Sequence, residues 1–424
     1  MRRGQDTSRR GAAYLVALLA GTIVTVTGLA ALSLATTRAR SAELGDQLAI
    51  ARLNASTALE HAFAAVSAHL DNAGTRHDLF GNAEPTVAWQ GGTSTWRLRE
   101  MDGSSLDNKD GPIVIQAEGA SGESAFRYDA MLVPSGQPMG VLNAAMYAGG
   151  TITVSSGGTL IADHVVAAAG DITANGGTVD ADVQSAGDVD GAVYLGSIAE
   201  DADPRPLPDI GMLTYYRDLG FELNDTELPW VLLSRTLGSV LLSPASNPFG
   251  PPNPLGIYVI DCNNNSIVVT NTRINGTLIL RRPGPNTIIG SGVFIEPVHP
   301  WLPAIVAEGS ITFMGSVAGP NETLLGVNLN PPGSPYLFEH DTDQSDTYPG
   351  VIRGVVYASG NITFGLLSEH IEGAVIAGGN IRVFTGSTAR VTYDPSVAHL
   401  PPFGFFEDQG RLAVDPSTIT WTMP

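Results

Sequence analysis

Charge is scarce in this chain. Asp, Glu, Lys and Arg make up 15% of its 424 residues, and none of them stands between Gly11 and Thr37. Basic residues are rare and unevenly placed. Six of the 22 lie in the first 40 positions beside one acid, Asp6, leaving 16 basic against 41 acidic residues beyond, a net of −25. Such a surface repels nucleic acid and anionic membrane, so nucleic-acid binding is excluded. One cysteine, Cys262, rules out an internal disulfide and a thiolate zinc cage; in "IYVIDCNNNSIVV" it is expected in or beside a buried strand. No serine sits in Gly-x-Ser-x-Gly and no phosphate loop is present. The histidines (61, 69, 77, 164, 299, 340, 370, 399) lack ligand spacing, except for His61 and His69, eight apart and read as solvent-facing.

What is present begins with "AAYLVALLAGTIVTVTGLAALSLA", enough apolar length for the roughly 20 residues a membrane helix needs. Arg2, Arg3, Arg9 and Arg10 precede it, so the N-terminus is expected in the cytoplasm and the C-terminal bulk outside. Two other readings compete: a cleavable signal, cut near Ser33-Leu34-Ala35, and a twin-arginine signal at Arg9-Arg10, which lacks the following Phe-Leu-Lys. From Ser41 to Leu70 there is no proline, and Leu44, Leu48, Leu59, Phe63, Val66 and Leu70 recur at helical spacing, with Gly74 as the expected cap. One helix from about Ala12 to Asp71 is predicted, roughly 90 Å long at about 1.5 Å per residue.

The run Arg10-Gly11-Ala12-Ala13-Tyr14-Leu15-Val16-Ala17-Leu18-Leu19, followed by an Ala-rich amphipathic half, resembles the N-terminus of type IV pilin-like proteins, most of all minor pilins of the PilX type. The likeness covers about the first 70 residues. Where major pilins carry a glutamate five residues after the processing glycine, this chain has Val16 if Gly11 is that glycine. The resemblance implies a helix packed on a small antiparallel sheet and association with other pilin-like subunits. Leu15, Val16, Leu18, Leu19, Ile23, Val26 and Leu29 would form the packing stripe, with Gly21 and Gly28 allowing close approach.

"TVAWQ", "STWRLREMD", "GPIVIQAEG" and "SAFRYDAMLV" read as antiparallel strands separated by Gly91-Gly92, Asp102-Gly103 and Ser121-Gly122. Beyond residue 140 a pattern recurs six times: glycine, one polar residue, then Ile or Val, at Gly150-Thr151-Ile152, Gly170-Asp171-Ile172, Gly187-Asp188-Val189, Gly309-Ser310-Ile311, Gly360-Asn361-Ile362 and Gly379-Asn380-Ile381. Spacings near 20 residues signal stacked units. Short strands with glycine corners indicate a parallel, right-handed β-helix, against the alternative of a β-sandwich. The segment around Tyr393-Asp394-Pro395 also resembles distal domains attached to some PilX-like proteins.

The fold class is therefore mainly β with one long N-terminal helix. The expected division is 1–10 basic cytoplasmic segment, 11–37 transmembrane helix, 38–74 amphipathic helix and 75–139 antiparallel β domain. Coils follow at 140–198, 257–327 and 351–395, interrupted by a Pro-rich insertion with a short helix (199–256) and an acidic Pro-rich loop (328–350). Residues 396–424 are a cap or tail. Two carboxylate groups are candidate cation ligands: Asp180 and Asp182, with Asp188 and Asp190 nearby, and Asp341 and Asp343, with Glu339, His340 and Asp346. Solvated acidic edges account for both as well, so no cofactor is expected. The expected function is a non-enzymatic minor-pilin-like subunit or pilus assembly component displaying a β-helix for assembly or adhesion. Its expected partners are pilin-like subunits, the membrane and surface polysaccharide. The alternative is a membrane-anchored β-helix enzyme or carbohydrate-binding module acting on envelope polysaccharide.

Overall fold

The computed structural model describes residues 6–71, 86–89, 91–99, 112–191, 193–231, 234–316, 318–365, 367–407 and 411–423. Arg2 and Arg3, the Gly74 cap, His77 and the Asp102-Gly103 turn lie outside them. The chain divides into two compact units. One comprises Met1–Asn108, Pro112–Leu132 and Val414–Pro424; the other comprises Lys109–Gly111 and Val133–Ala413.

In the first unit a single helix, α1, runs Asp6–Asp71 without a break at Arg38 or Arg40. Threonines do not interrupt its apolar half because their hydroxyls turn back on the helix. Thr22 Oγ1 donates to Leu19 O at 2.8 Å, Thr25 Oγ1 to Gly21 O at 2.8 Å and Thr27 Oγ1 to Ile23 O at 2.8 Å. Strands β1 (Thr86–Trp89), β2 (Gly92–Arg99), β3 (Ile113–Ser121) and β4 (Ser124–Ser135) pair antiparallel in sequence order. Burial alternates strictly along β3, so one face packs on α1 and the other meets solvent.

The buried stripe of α1 shares Val66 with the expected one and otherwise differs from it, the side chain of Leu70 lying outside the described part. It consists of Ala51, Ala55, Ala58, Ala62 and Val66, while Leu44 and Phe63 are exposed and Leu48 and Leu59 only half-buried. Close approach is the reason. A methyl group on Gly119 of β3 would run into Ala51 O, Ala55 N and Asn54 C of the helix backbone, so only small residues fit on either side. Asn54 tightens the seam, donating from Nδ2 to Ala120 O at 3.2 Å while its carbonyl accepts Ser94 Oγ at 2.8 Å.

The segment 396–424 is more than a cap or tail. Its strand Arg411–Thr422 is the fifth of this sheet, beside β4. A strand in that place covers the edge that β4 would otherwise leave open.

The second unit is a parallel stack of short coils whose inner residues, such as Val154, Ile172, Ile311, Phe313, Ile362 and Val383, form one continuous core. The coils do not stack in chain order. Met146–Ala148 begins in the middle, in register with Val166–Ala168 on one side and Val375–Ala377 on the other. From there the chain builds outward to Ile198–Ala199. It then crosses to the opposite end at Phe221–Asn224 and returns coil by coil through Ile257–Asp261, Thr277–Arg281, Ile305–Ala307 and Ile352–Ala358.

Residues 199–256 are thus only partly an insertion. Phe221–Asn224 pairs with Tyr258–Asp261, Arg235–Gly238 with Ile267–Thr270, and Leu241–Leu242 with Arg273–Ile274, all parallel. Prolines hide this because they cluster only in the crossing and in 244–254. The crossing runs along a row of outward residues that are themselves apolar and in register: Tyr147, Ile376, Tyr357, Val306, Ile279 and Val259. Tyr147 Oη donates to Arg205 O and Tyr357 Oη to Pro208 O. The helix α2 (Met212–Leu219) lies over the strands Ile257–Asp261 and Thr277–Arg281, burying Met212, Leu213, Tyr215 and Tyr216. Every residue of that row is buried although it points away from the core.

Candidate functional site

Two features stand out once the elements are placed. The first is the apolar half of α1. Leu15, Leu18, Leu19, Ile23, Val26 and Leu29 are all more than half exposed. Among the described residues nothing lies within 4 Å of where a Cβ on Gly21 or Gly28 would stand. Val16 lies on the same helix, with its side chain outside the described part. Among the described residues α1 is the helix long and apolar enough to cross a membrane. Exposure of that much aliphatic surface to water is unfavourable by about 25 cal/mol per Å², so it calls for lipid or other helices around it.

The second feature is polar. Asp180 and Asp182 do not stand on one strand. Buried Ala181 makes a corner between Thr178–Asp180 and Val183–Ser185, and each aspartate belongs to a different side of it. Asp182 is engaged: its Oδ1 accepts Ser197 N at 2.7 Å and Ser197 Oγ at 2.6 Å, which holds its carboxyl below the ordinary range. Asp188 donates its backbone N–H to Asp171 Oδ1 at 3.1 Å, and Asp190 is exposed. These are the polar seams of the coil stack.

Asp341 and Asp343 are different. They meet Glu322, which sequence inspection passed over, and the carboxylate oxygens of all three lie within 4.8 Å of one another. Glu322 is fully buried. Its Oε1 accepts Leu329 N at 2.5 Å and Tyr348 Oη at 2.8 Å, and its Oε2 accepts Asp346 N at 3.1 Å. Nothing local marks it, since it opens a one-turn helix, Glu322–Leu325, after the capping Asn321. Glu339 and His340, expected in the same group, are exposed and outside the trio.

A buried cation holds the loop that brings these acids together. Arg273 is 2% exposed; its Nη1 donates to Leu329 O at 2.5 Å and Ser334 O at 2.9 Å, and its Nη2 to Pro335 O at 2.7 Å. The guanidinium also lies 5.5 Å from the ring centres of Tyr336 and Tyr348. Burial draws its pKa down and neighbouring Tyr348 and Glu296 draw it up, the first prevailing. The loop 328–350 is therefore ordered, and Thr347–Pro349 pairs antiparallel with Ala318–Asn321.

Of the two histidines on α1 read as solvent-facing, His61 is exposed and its Nδ1 accepts Trp96 Nε1 at 3.0 Å. Cys262 is fully buried, and burial, then the charges of Asp261 and Asp225, push its thiol up to about 12.

Compared with protein-family models and with curated proteins, the chain finds no match. Among solved structures it is similar to the DUF3494 domain of an ice-binding protein from Shewanella frigidimarina, at 14% identity over 61% of this chain and 98% of that one, with a TM-score of 0.23. It is also similar to the competence-associated pilin ComZ from Thermus thermophilus, at 12% identity over 89% of this chain and 98% of that one, with a TM-score of 0.32.

Proposed function

We propose that this chain is a non-catalytic, membrane-tethered subunit of a pilin-like assembly. Its α1 would be inserted with the N-terminus in the cytoplasm, and its coil stack displayed outside for assembly or adhesion, with surface polysaccharide as one class of contact. The observation that carries this reading is the division of α1. One half is aliphatic and bare around Gly21 and Gly28, and the other is sealed through alanines onto a small antiparallel sheet. A helix of that kind uses its first half to bind lipid and other helices and its second half to hold a head. If Gly11 is the processing glycine, Val16 stands where major pilins carry glutamate, a departure that PilX-type proteins often share.

Cysteine cross-linking tests the reading directly, because Cys262 is buried and inert. Leu18→Cys and Gly21→Cys, introduced singly, should give membrane-fraction adducts with pilin-like subunits. Leu53→Cys, exposed on the same helix beyond the apolar half, should give fewer. Recovery of the chain in the soluble fraction with α1 intact, or adducts independent of position, would refute it.

A further inference from the structure

The geometry points to a calcium site at Glu322, Asp341, Asp343 and Asn330. Oxygens bound to one Ca²⁺ at about 2.4 Å can stand at most about 4.8 Å apart, and the three carboxylates meet that limit. The described hydrogen bonds of the two aspartates fall on Oδ1. Asp341 Oδ1 accepts Asp343 N at 3.2 Å and Asn328 Nδ2 at 3.3 Å; Asp343 Oδ1 accepts Ser345 N at 2.9 Å and Ser345 Oγ at 2.7 Å. Each aspartate is thus oriented by the loop and keeps its second oxygen for an ion.

Asn330 supplies the independent sign of a ligand. It is 2% exposed and fixed within the cluster: its N–H donates to Asn328 Oδ1, its carbonyl accepts Asp341 N, and its Nδ2 donates to Asp346 Oδ2. Its Oδ1 is buried and, among the described residues, has no hydrogen-bond partner. An amide oxygen in that position is costly alone and is a good neutral donor to a hard cation.

Charge supports the same conclusion. Among the described residues no ion pair involves Glu322, Asp341, Asp343 or Asp346. Arg273 feels the charge of Glu322, but its Nη1 and Nη2 donate to three backbone carbonyls of the loop. Asp346 adds a fourth carboxylate beside them, its N–H donating to Glu322 Oε2 at 3.1 Å and its Oδ2 accepting Asn330 Nδ2 at 2.8 Å, so like charges repel across the group. A divalent ion would relieve that repulsion and tie the loop to Glu322. An all-oxygen set with an amide carbonyl suits Ca²⁺, whereas Mg²⁺ retains most of its water and zinc favours nitrogen and sulfur.

The test is calorimetric titration of chelator-treated full-length chain in detergent with CaCl₂ and, separately, MgCl₂, together with hydrogen exchange of 328–346. One saturable Ca²⁺ site, weaker Mg²⁺ binding and slowed exchange in the loop are expected. Asp343→Asn keeps the acceptor for Ser345 and removes one of the repelling charges, so it should fold with a calcium-free melting temperature no lower than the parent's yet lower Ca²⁺ affinity by about tenfold or more. Asn330→Ala should lower it too. No binding up to about 10 mM Ca²⁺, equal affinity for Mg²⁺, or full affinity in Asp343→Asn overturns the assignment.

Discussion

Asn380 Oδ1 accepts the backbone N–H of Thr151 at 2.8 Å, across 229 positions of sequence. The same bond recurs at neighbouring corners. Asn361 Oδ1 accepts Asn380 N at 2.8 Å, Ser310 Oγ accepts Asn361 N at 2.9 Å, and Asp171 Oδ1 accepts Asp188 N at 3.1 Å. At four of the six corners, those of Asp171, Ser310, Asn361 and Asn380, the polar residue after the repeated glycine thus bonds the corner of the next coil. The Asn380–Thr151 bond is where the chain's returning arm meets its first coil.

Replacing Asn380 by Ala should loosen this junction. The bond is exposed, so a loss of about 0.5–1.5 kcal/mol is expected, read as a lower urea midpoint. Gly150→Ala should act on the same bond, because its new methyl would meet Asn380 Oδ1. Combining the two should cost less than their sum.

Gly119→Ala should damage the first unit more. Its methyl would strike backbone of α1 on Ala51, Asn54 and Ala55, which cannot swing aside as a side chain can. A loss of about 1–3 kcal/mol, typical of overpacking, should appear as faster hydrogen exchange in β3, with the solenoid strands unaffected.

Acid should unfold the coil stack partly through Asp261. Burial raises its pKa, but the hydrogen bond from Arg282, the Asn263 N–H and the charges of Arg282 and Arg281 outweigh it, so its carboxyl lies below the ordinary value. A depressed folded-state pKa stabilises the fold above the unfolded-state value, near 4, and that contribution disappears as pH falls through the folded-state value. Asp261→Asn should therefore lower the melting temperature at pH 7, by an amount that shrinks as pH falls below about 4.

Asp346 should behave in the opposite sense. Its pKa is raised, so the folded state holds its proton longer and stability falls as pH rises from about 4 through the raised value. Asp346→Asn, which keeps an acceptor for Asn330 Nδ2, should raise the melting temperature of chelator-treated protein at pH 7. A decrease there would show that the carboxylate is favourable without a cation.

Tyr216→Ala should uncover the outward apolar row. Tyr216 is fully buried beneath the crossing, with its Oη donating to Phe403 O at 3.0 Å. A loss of about 3–5 kcal/mol is expected, with increased binding of a hydrophobic dye as Val259 and Ile279 open to water.

Much of this was legible in the residues themselves. An uncharged stretch between Gly11 and Thr37 has the length and composition of a membrane helix, and the proline-free continuation keeps it helical to Asp71. The six glycine-polar-aliphatic corners are local demands as well: a tight backbone, an inward apolar residue and, at four of them, an acceptor for the next coil. These features depend on near neighbours, which a linear reading contains.

Other features depended on what distant segments do to each other. The alanine stripe of α1 is inner because Gly119 lets two backbones approach, although Leu44 and Phe63 are the greasier residues. Coil order was hidden because parallel coils offer nearly interchangeable edges, and nothing in Met146–Ala148 says that Val375–Ala377 will lie beside it. Glu322 joined Asp341 and Asp343 only through the loop that Arg273 holds folded. Local chemistry in the chain specifies the helix and the repeating corner; which edges and acids meet is set by three-dimensional packing, since those contacts gain their free energy from burial between segments far apart in sequence.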